Sequence, residues 1–494
     1  MKPSIYIVNA GNDPKFASIS NDGCYPALGV LALGTWIKKN IPEVDVVVRD
    51  GQVFPLVEIL DEIQQLRPFV VGVSVLATSY ENALAIAGAA KKIGAYTVFG
   101  NDQVAQLSGY ILERREEVDF VVCSEYGEKP FELLIRCLLN GSPSLEEIPE
   151  IAYRQAGSIR GFDYVANRDS LSILKSPHYM AQSRKNALDI FPIVDRTLYP
   201  ITHWHRYREN YLRRFAHLHT EGEVTGVTAI NRARGCSRAN ENIKCKFCDM
   251  LLDISFSSAS IFWQEVEQAH EEMGATIFYE VCDSLTSFPP YIRSLVEAKP
   301  ESLGFEPKFF VYAQAIDIVR TPDLPKLLRE LGVFRVNIGL ESGSDPTLKH
   351  LKGQHDSVET NYAAVKMLRA EGIHVYGSFV LGSDVETQKT LRETTDWAKK
   401  LLDENLLVDL SVQPLAPLPH NLYGKRLKAD GVVDALRLAA DEPWPIDGLA
   451  KIYIDSYSGV SYEDTLQCSV EVLEYARHRG VTAGSGASSA EKYN

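Results

Sequence analysis

The sequence predicts an α/β protein in which a doubly wound, Rossmann-like domain is followed by a partial (β/α)6 barrel of the TIM type and a small C-terminal segment. Three observations carry this expectation. The first 140 or so residues alternate short β-branched runs with helical patterns, the alternation breaks between Ile148 and about Arg214, and a second βα rhythm begins at Val224. In the first part, Ile5 to Val8, Val44 to Val48, Phe69 to Val75, Tyr96 to Phe99 and Val118 to Val122 read as strands of a buried parallel sheet. Leu28 to Lys39, Leu56 to Gln65, Tyr80 to Ile93, Ala105 to Glu113 and Lys129 to Leu139 read as the helices between them.

The stretch from Ile148 reads as a connector, rich in aromatics, with a hairpin around Gln155-Ala-Gly-Ser158. Beyond it, strands are expected near Val224 to Ile230, Thr276 to Val281, Phe309 to Ala313, Arg335 to Gly339, His374 to Leu381 and Val408 to Val412. Helices are expected between them, for example Phe262 to Met273, Leu324 to Leu331, Glu359 to Arg369 and Thr387 to Leu402. In such a barrel the reactive groups belong on loops after the C-terminal strand ends. The predicted divisions are 1–147, 148–219, 220–427 and 428–494, the last holding a helix or two and a Gly- and Ser-rich tail with the composition of a disordered segment.

Composition bounds the function. No apolar run approaches the ~20 residues a membrane span needs, and Met1 to Ala10 turns polar too early for a signal peptide, so a cytoplasmic address and no membrane partner are expected. A net charge of -14 argues against a broad nucleic-acid surface, whose affinity comes from Lys and Arg. The basic stretch His203-Trp-His-Arg-Tyr-Arg208 is read as an amphipathic surface helix. Five of the eight cysteines, Cys24, Cys123, Cys137, Cys282 and Cys468, are scattered singly, which fits a reducing compartment rather than a disulfide scaffold.

The other three cluster. Cys236, Cys245 and Cys248 fall in one loop directly after the apolar run Val224 to Ile230, with Phe247 just before the last. The two-residue gap between Cys245 and Cys248 lets a tight turn aim both sulfurs at one centre, and Cys236 returns to it through eight residues. Three thiolates suit a 4Fe-4S cluster with one iron left open, and Arg232, Arg234, Arg238, Lys244 and Lys246 supply positive charge for an anionic cluster. The alternative is structural zinc with a fourth ligand such as His217 or His219, although only one short cysteine knuckle is present.

These residues resemble the radical S-adenosylmethionine (SAM) superfamily, and the resemblance continues down the chain. Glu280-Val-Cys-Asp283 stands at the end of the second barrel strand. Val336-Asn-Ile-Gly-Leu-Glu-Ser-Gly-Ser-Asp345 is similar to the segment after the fourth strand, and Gly377-Ser-Phe-Val-Leu-Gly-Ser-Asp-Val-Glu-Thr387 to that after the fifth, in members with a cobalamin-binding domain. The N-terminal part resembles that domain: Tyr25 to Leu33 its first helix, Ser74-Val-Leu76 its Ser-x-Leu element, Gly100-Asn101 its paired-glycine turn and Glu125 to Phe131 its closing helix start. Two departures stand out. The first two cluster cysteines are separated by eight residues where the superfamily usually has three, and Asn9-Ala-Gly-Asn-Asp-Pro14 replaces the Asp-x-His-x-x-Gly element that supplies a lower ligand to cobalamin. The resemblance therefore leaves two readings of the module, binding without that histidine or a retained fold without its cofactor.

What the resemblance implies is a radical SAM enzyme that cleaves SAM at a 4Fe-4S cluster and abstracts hydrogen from a small-molecule or peptide substrate, with cobalamin-dependent C-methylation as the favoured reaction. Cobalamin-independent rearrangement, dehydration or epimerisation is the first alternative, and a non-catalytic metal-stabilised binding or regulatory protein the second. An electron donor such as flavodoxin or ferredoxin is an implied partner. The implied cluster ligands are Cys236, Cys245 and Cys248; the implied SAM contacts are Phe247, Gln314, Glu341, Gly377 and Gly382; and the implied cobalamin contacts are Ser74, Leu76, Gly100 and Asn101. Tyr279, Asp283 and Tyr312 are the catalytic candidates, placed at or near strand ends.

Overall fold

The computed structural model describes residues 2–13, 23–124, 126–161, 186–238, 243–250 and 254–484. Glu125 and the tail from 485 to 494 lie outside the described residues. The chain forms two compact units, one holding the N-terminal part as far as Arg213 together with Gln268–Gly274, the other holding Arg214–Glu267 and the chain from Ala275 onward.

The first unit is built on a sheet of seven strands: β1 (Ser4–Asn9), β2 (Asp45–Asp50), β3 (Val70–Ser74), β4 (Tyr96–Gly100), β5 (Phe120–Val122), β6 (Ile151–Gln155) and β7 (Ser158–Gly161), in the order β2-β1-β3-β4-β5-β6-β7. β1 to β5 are parallel, and the Val and Ile side chains of β1, β3, β4 and β5 are buried because helices cover the sheet, while Val46 and Val47 on the edge strand β2 are half-buried. Helix Leu28–Asn40 packs beside Glu128–Asn140, and helix Leu56–Leu66 beside Tyr80–Lys92. In this order the chain reverses direction between β1 and β3, the switch point outside which open α/β sheets bind ligands. The predicted hairpin forms, but it is not a separate connector: β6 pairs antiparallel with β5, so the sheet extends past residue 147. The reason is edge protection, since β5 without β6 would expose its backbone.

A buried polar knot fixes the end of β2. Asp50 is fully buried and accepts from Asn9 Nδ2 (2.8 Å), Ala27 N (2.9 Å), Gln52 N (3.0 Å) and the Tyr207 hydroxyl. His203 lies against the same strand end between Phe54 and Tyr199. Burial pushes its imidazole down to about 4, so it is neutral at physiological pH. Part of the basic stretch read as a solvated helix face is thus core.

The second unit is an open barrel. Its strands are β8 (Val227–Ile230), β11 (Ile277–Glu280), β12 (Lys308–Ala313), β13 (Val333–Glu341), β14 (His374–Leu381), β15 (Asp409–Pro414) and β16 (Thr482–Gly484), all parallel, in the order β16-β15-β14-β13-β12-β11-β8. The six predicted strands are present. The seventh comes from the segment read as helices and tail: β16 covers the edge of β15, and helix Tyr462–His478 packs on the same strand. Three residues are too few to show a period of two, which is why the sequence pattern misses this strand. No helix among the described residues is long and apolar enough to cross a membrane.

The barrel is closed at the strand N-terminal end by charge rather than by packing alone. Arg335 and Asp409 are both fully buried and form an ion pair, and the guanidinium stacks on Phe215 (4.2 Å to the ring centre), Phe310 (4.5 Å) and Tyr376 (5.4 Å). Removing one partner would leave the other charge uncompensated in a dry core. Asp409→Ala is therefore expected to cost about 3–5 kcal/mol of stability, read as a lowered midpoint in chemical denaturation, with Asp409→Asn less damaging because it keeps an acceptor for Arg335.

Candidate functional site

The cysteine loop leaves β8 at the C-terminal end of the barrel and is zipped at its base by a two-stranded ladder, β9 (Ala233–Arg234) pairing antiparallel with β10 (Ser255–Phe256). Its first limb hangs on acidic side chains at and just after the end of β11. Glu280 Oε1 accepts from the N–H groups of Arg232 and Ala233, both at 3.2 Å, and Asp283 Oδ2 accepts from Gly235 N at 3.0 Å. Burial pushes the Glu280 carboxyl well above the usual carboxylate range. Arg232 itself pairs with Glu265, and the Tyr291 hydroxyl donates to the Arg232 carbonyl at 3.3 Å.

The second limb is held by later elements. Lys246 N donates to Leu351 O (2.9 Å), Leu422 N to Lys246 O (3.0 Å), Asn421 Nδ2 to Phe247 O (3.0 Å) and His420 N to Asp249 Oδ1 (2.6 Å). Arg238 crosses to Asp356 (2.7 Å) and to the Lys352 carbonyl. The segment Pro417-Leu-Pro-His-Asn421 thus has a structural role, since His420 and Asn421 brace the stretch that carries Phe247 and Cys248.

All three clustered cysteines are free thiols, and each sulfur faces a donor. Cys236 accepts from Gln314 Nε2 (2.9 Å) and Arg238 N (3.5 Å), Cys248 from Met250 N (3.4 Å), and Cys245 lies 4.0 Å from Arg238 Nη1. Burial raises all three thiols, Cys248 to about 11, while Lys352 and Arg238 pull Cys245 the other way. Metal binding must therefore displace thiol protons, with nearby cations offsetting the cost. Among the described residues no three His, Cys, Asp or Glu side chains converge tightly enough to share a single ion. A cubane puts each cysteine on a different iron and asks for no such convergence, so the donor set fits a cluster. His219, the alternative zinc ligand, instead packs on Phe334 at the start of β13 and pairs with Glu223 at 3.4 Å, at the opposite strand ends from the cysteines.

Beside the loop, β13 ends in a bulge at Glu341, whose φ of 59° puts a non-glycine residue in the left-handed region. Its carboxylate folds back over Gly339, where a Cβ would collide with it, and lies 3.6 Å from Lys352 Nζ. Lys352 Nζ also donates to Gly339 O at 2.8 Å. Backbone strain of this kind costs about 1–3 kcal/mol and persists where the surroundings over-determine it.

The remaining expected residues of the barrel fall in four places. Tyr279 and Tyr312 are half-buried inside the barrel, ring centres 5.7 Å apart, and the Tyr312 hydroxyl shares hydrogen bonds with Tyr279 and Asn337. Asp283 is exposed at the barrel end and holds Gly235. Phe247 is half-buried beside Cys248. Gly377 faces Leu340 and Leu407, and Gly382 (φ 91°) faces Ile454 and Thr465, so close packing already requires a glycine at both.

The first unit gathers its own constellation at the C-terminal ends of β3 and β4. Asn101 Nδ2 lies 3.4 Å from Ser74 Oγ, and Asn101 has a left-handed φ of 107°. Space above Gly100 is open, and Leu76 is 41% exposed, held outward by the hydrogen bond from its N–H to Ser79 Oγ (3.0 Å). An exposed leucine, an open glycine and a strained amide side by side fit a flat apolar macrocycle. The loop after β1 is tied down without a histidine: Asp13 caps helix Tyr80–Lys92 through Asn82 N (3.0 Å), and Asn82 Nδ2 holds the carbonyls of Gly11 (3.3 Å) and Asn12 (3.1 Å).

Comparison with known proteins agrees with this geometry. The family model described as the radical SAM superfamily matches residues 230–398, and that described as the B12 binding domain matches residues 15–135. An uncharacterised methyltransferase of Pyrococcus horikoshii is 24% identical over 391 residues, which span 76% of this chain and 73% of that protein. The cobalamin-dependent SAM radical enzyme OxsB, solved with aqua-cobalamin and SAM bound, shares the fold at a TM-score of 0.59 and 19% identity, over 88% of this chain and 56% of that one. The radical SAM methyltransferase TsrM from Kitasatospora setae, solved with cobalamin and a [4Fe-4S] cluster, does so at a TM-score of 0.62 and 15% identity, over 88% of this chain and 79% of that one.

Sequence reasoning missed Glu280 as a loop anchor, as well as Lys352 and Asp356. The grip of Glu280 on the loop is testable apart from any cofactor. Glu280→Ala orphans two buried N–H groups and is expected to cost about 1–3 kcal/mol, with faster hydrogen exchange at the amides of 232 to 236. Glu280→Gln keeps the carbonyl acceptor and should exchange like the parent.

Proposed function

From a chain that joins a B12 binding domain to a radical SAM domain, we propose an enzyme that methylates a carbon of a small-molecule or peptide substrate. The observation that carries the reading is the three-cysteine loop at the C-terminal end of the barrel, each sulfur facing a hydrogen-bond donor or a cation. When bound, a 4Fe-4S cluster with an open iron supplies the electron that splits SAM to a 5'-deoxyadenosyl radical, and a methylated corrinoid supplies the methyl group.

The chain's own residues have the following roles in this proposal. Cys236, Cys245 and Cys248 hold the cluster, while Glu280 and Asp283 position the loop. Glu341, strained and paired with Lys352, offers a carboxylate oxygen to the ammonium group of SAM, and Phe247 flanks its adenine, along with backbone from Gly377 to Gly382. Tyr279 and Tyr312 line the interior where a substrate C–H bond would be presented, and the barrel wall excludes water. Ser74, Leu76, Gly100 and Asn101 form the corrinoid cradle, with no side-chain histidine as lower ligand on the loop after β1. Similarity to methyltransferases favours methylation over rearrangement, dehydration or epimerisation. A flavodoxin or ferredoxin would deliver the electron in a reducing, cytoplasmic setting.

Anaerobic reconstitution with iron, sulfide and hydroxocobalamin tests each part separately. The protein is expected to retain corrinoid through gel filtration, and with dithionite and SAM to form 5'-deoxyadenosine that falls to background in Cys248→Ala. Deoxyadenosine without retained corrinoid would favour the cobalamin-independent reading, and neither would favour a non-catalytic binding protein.

A second prediction concerns the cradle. Asn101→Val cannot hold a φ of 107° without strain of about 1–3 kcal/mol, and should lower corrinoid retention. Asn101→Gly adopts that φ freely and should retain more corrinoid than Asn101→Val.

A further inference from the structure

The three cysteine sulfurs are not equivalent. Cys236 is the most enclosed, 8% exposed, and it receives the side-chain amide of Gln314 at 2.9 Å together with the backbone N–H of Arg238 at 3.5 Å. Among the described residues, the donors facing the other two sulfurs are Met250 N for Cys248 and the Arg238 guanidinium, at 4.0 Å, for Cys245. Gln314 itself is locked in place. It caps the end of β12, its N–H donates to Thr286 Oγ1 at 3.0 Å, its side-chain nitrogen also lies 3.2 Å from Ser287 Oγ, and it is 7% exposed. Thr286 and Ser287 are in turn held by Asp317 Oδ2, at 3.2 and 3.4 Å.

We infer that Gln314 is a positioning residue for the iron-sulfur cluster, donating a fixed hydrogen bond to the Cys236 sulfur that raises the cluster's reduction potential, and is not a contact of SAM or substrate. This rests on the reading of the three cysteines as cluster ligands. The effect of this hydrogen bond is electrostatic. Reduction adds one negative charge to the cluster, a hydrogen bond to a ligand sulfur stabilises the reduced form more than the oxidised one, and in a buried site that difference is not screened by water. The amide must turn its nitrogen to the sulfur for this, and the hydroxyls of Ser237 and Ser287 flank that nitrogen at 3.5 and 3.2 Å. Among the described residues Cys236 alone receives a side-chain amide, so the effect falls on one corner of the cluster.

The test is a spectroelectrochemical titration of the reconstituted full chain without SAM, comparing the parent with Gln314→Leu and Gln314→Glu. Loss of the donor should lower the ratio of reduced to oxidised cluster at a fixed ambient potential about tenfold, equivalent to a fall of about 59 mV for a one-electron couple, with iron and sulfide content unchanged. Gln314→Glu should lower it at least as far. A second measurement uses the parent protein labelled with 15N in glutamine side chains, where the reduced cluster should show a 15N hyperfine coupling. Equal potentials in all three proteins, or no 15N coupling in the parent, would overturn the inference while leaving the cluster assignment standing. Failure of the parent to assemble any cubane would instead overturn the reading on which it rests.

Discussion

A loop carrying three thiols has no apolar core of its own, and its place in this fold depends on carboxylate oxygens at the end of one barrel strand. Glu280 and Asp283 accept three consecutive-limb N–H groups from Arg232, Ala233 and Gly235, and the backbone that bears Cys236 follows from those bonds. The strand is rigid because its neighbours β8 and β12 pair with it along its length, so the loop inherits the precision of the sheet. The other limb is braced by residues from after β13 and after β15, which converts a long surface excursion into a scaffold tied at both ends.

Electrostatics decides what such a scaffold can hold. The thiols are buried enough that they stay protonated when unliganded, and Arg238 and Lys352 stand close enough to favour the thiolate once metal arrives. Glu341 answers that positive charge with a carboxylate held in a strained backbone, over a glycine that leaves room for it. Strain and unscreened charge are both expensive, and they occur together at the strand ends where barrels carry their chemistry. At the opposite end the buried Arg335–Asp409 pair spends its charge on closing the barrel floor, wrapped in aromatic rings and far from solvent.

Much of this was legible in the residues. The strand runs and the Cys245-Lys-Phe-Cys248 spacing are local signals, and local signals survive in a single sequence. The six barrel strands and the five parallel strands of the first sheet fall where those runs lie. What the pattern could not show is who meets whom across the chain. Asp283 is a catalytic candidate by its place near a strand end, and the structure adds that one of its oxygens accepts from Gly235 N. Gln314 looked like a cofactor contact and meets Cys236, 78 residues away. Arg238 finds Asp356 across 118 residues, a pairing with no periodic trace. The strand Thr482–Gly484 was invisible for a different reason, being too short to alternate and selected only by the open edge it covers. His203 sits in a basic amphipathic stretch, yet the knot around Asp50 draws it inward.

The most direct test of the account is electron paramagnetic resonance of the anaerobically reconstituted, dithionite-reduced protein, recorded with and without SAM. A cluster with three protein ligands and an open iron predicts a reduced [4Fe-4S] signal whose g values change when SAM is added, and loss of that signal when any one of the three cysteines is replaced by alanine. A colourless protein that binds zinc tightly and gives no such signal, or a cubane signal indifferent to SAM, would contradict it.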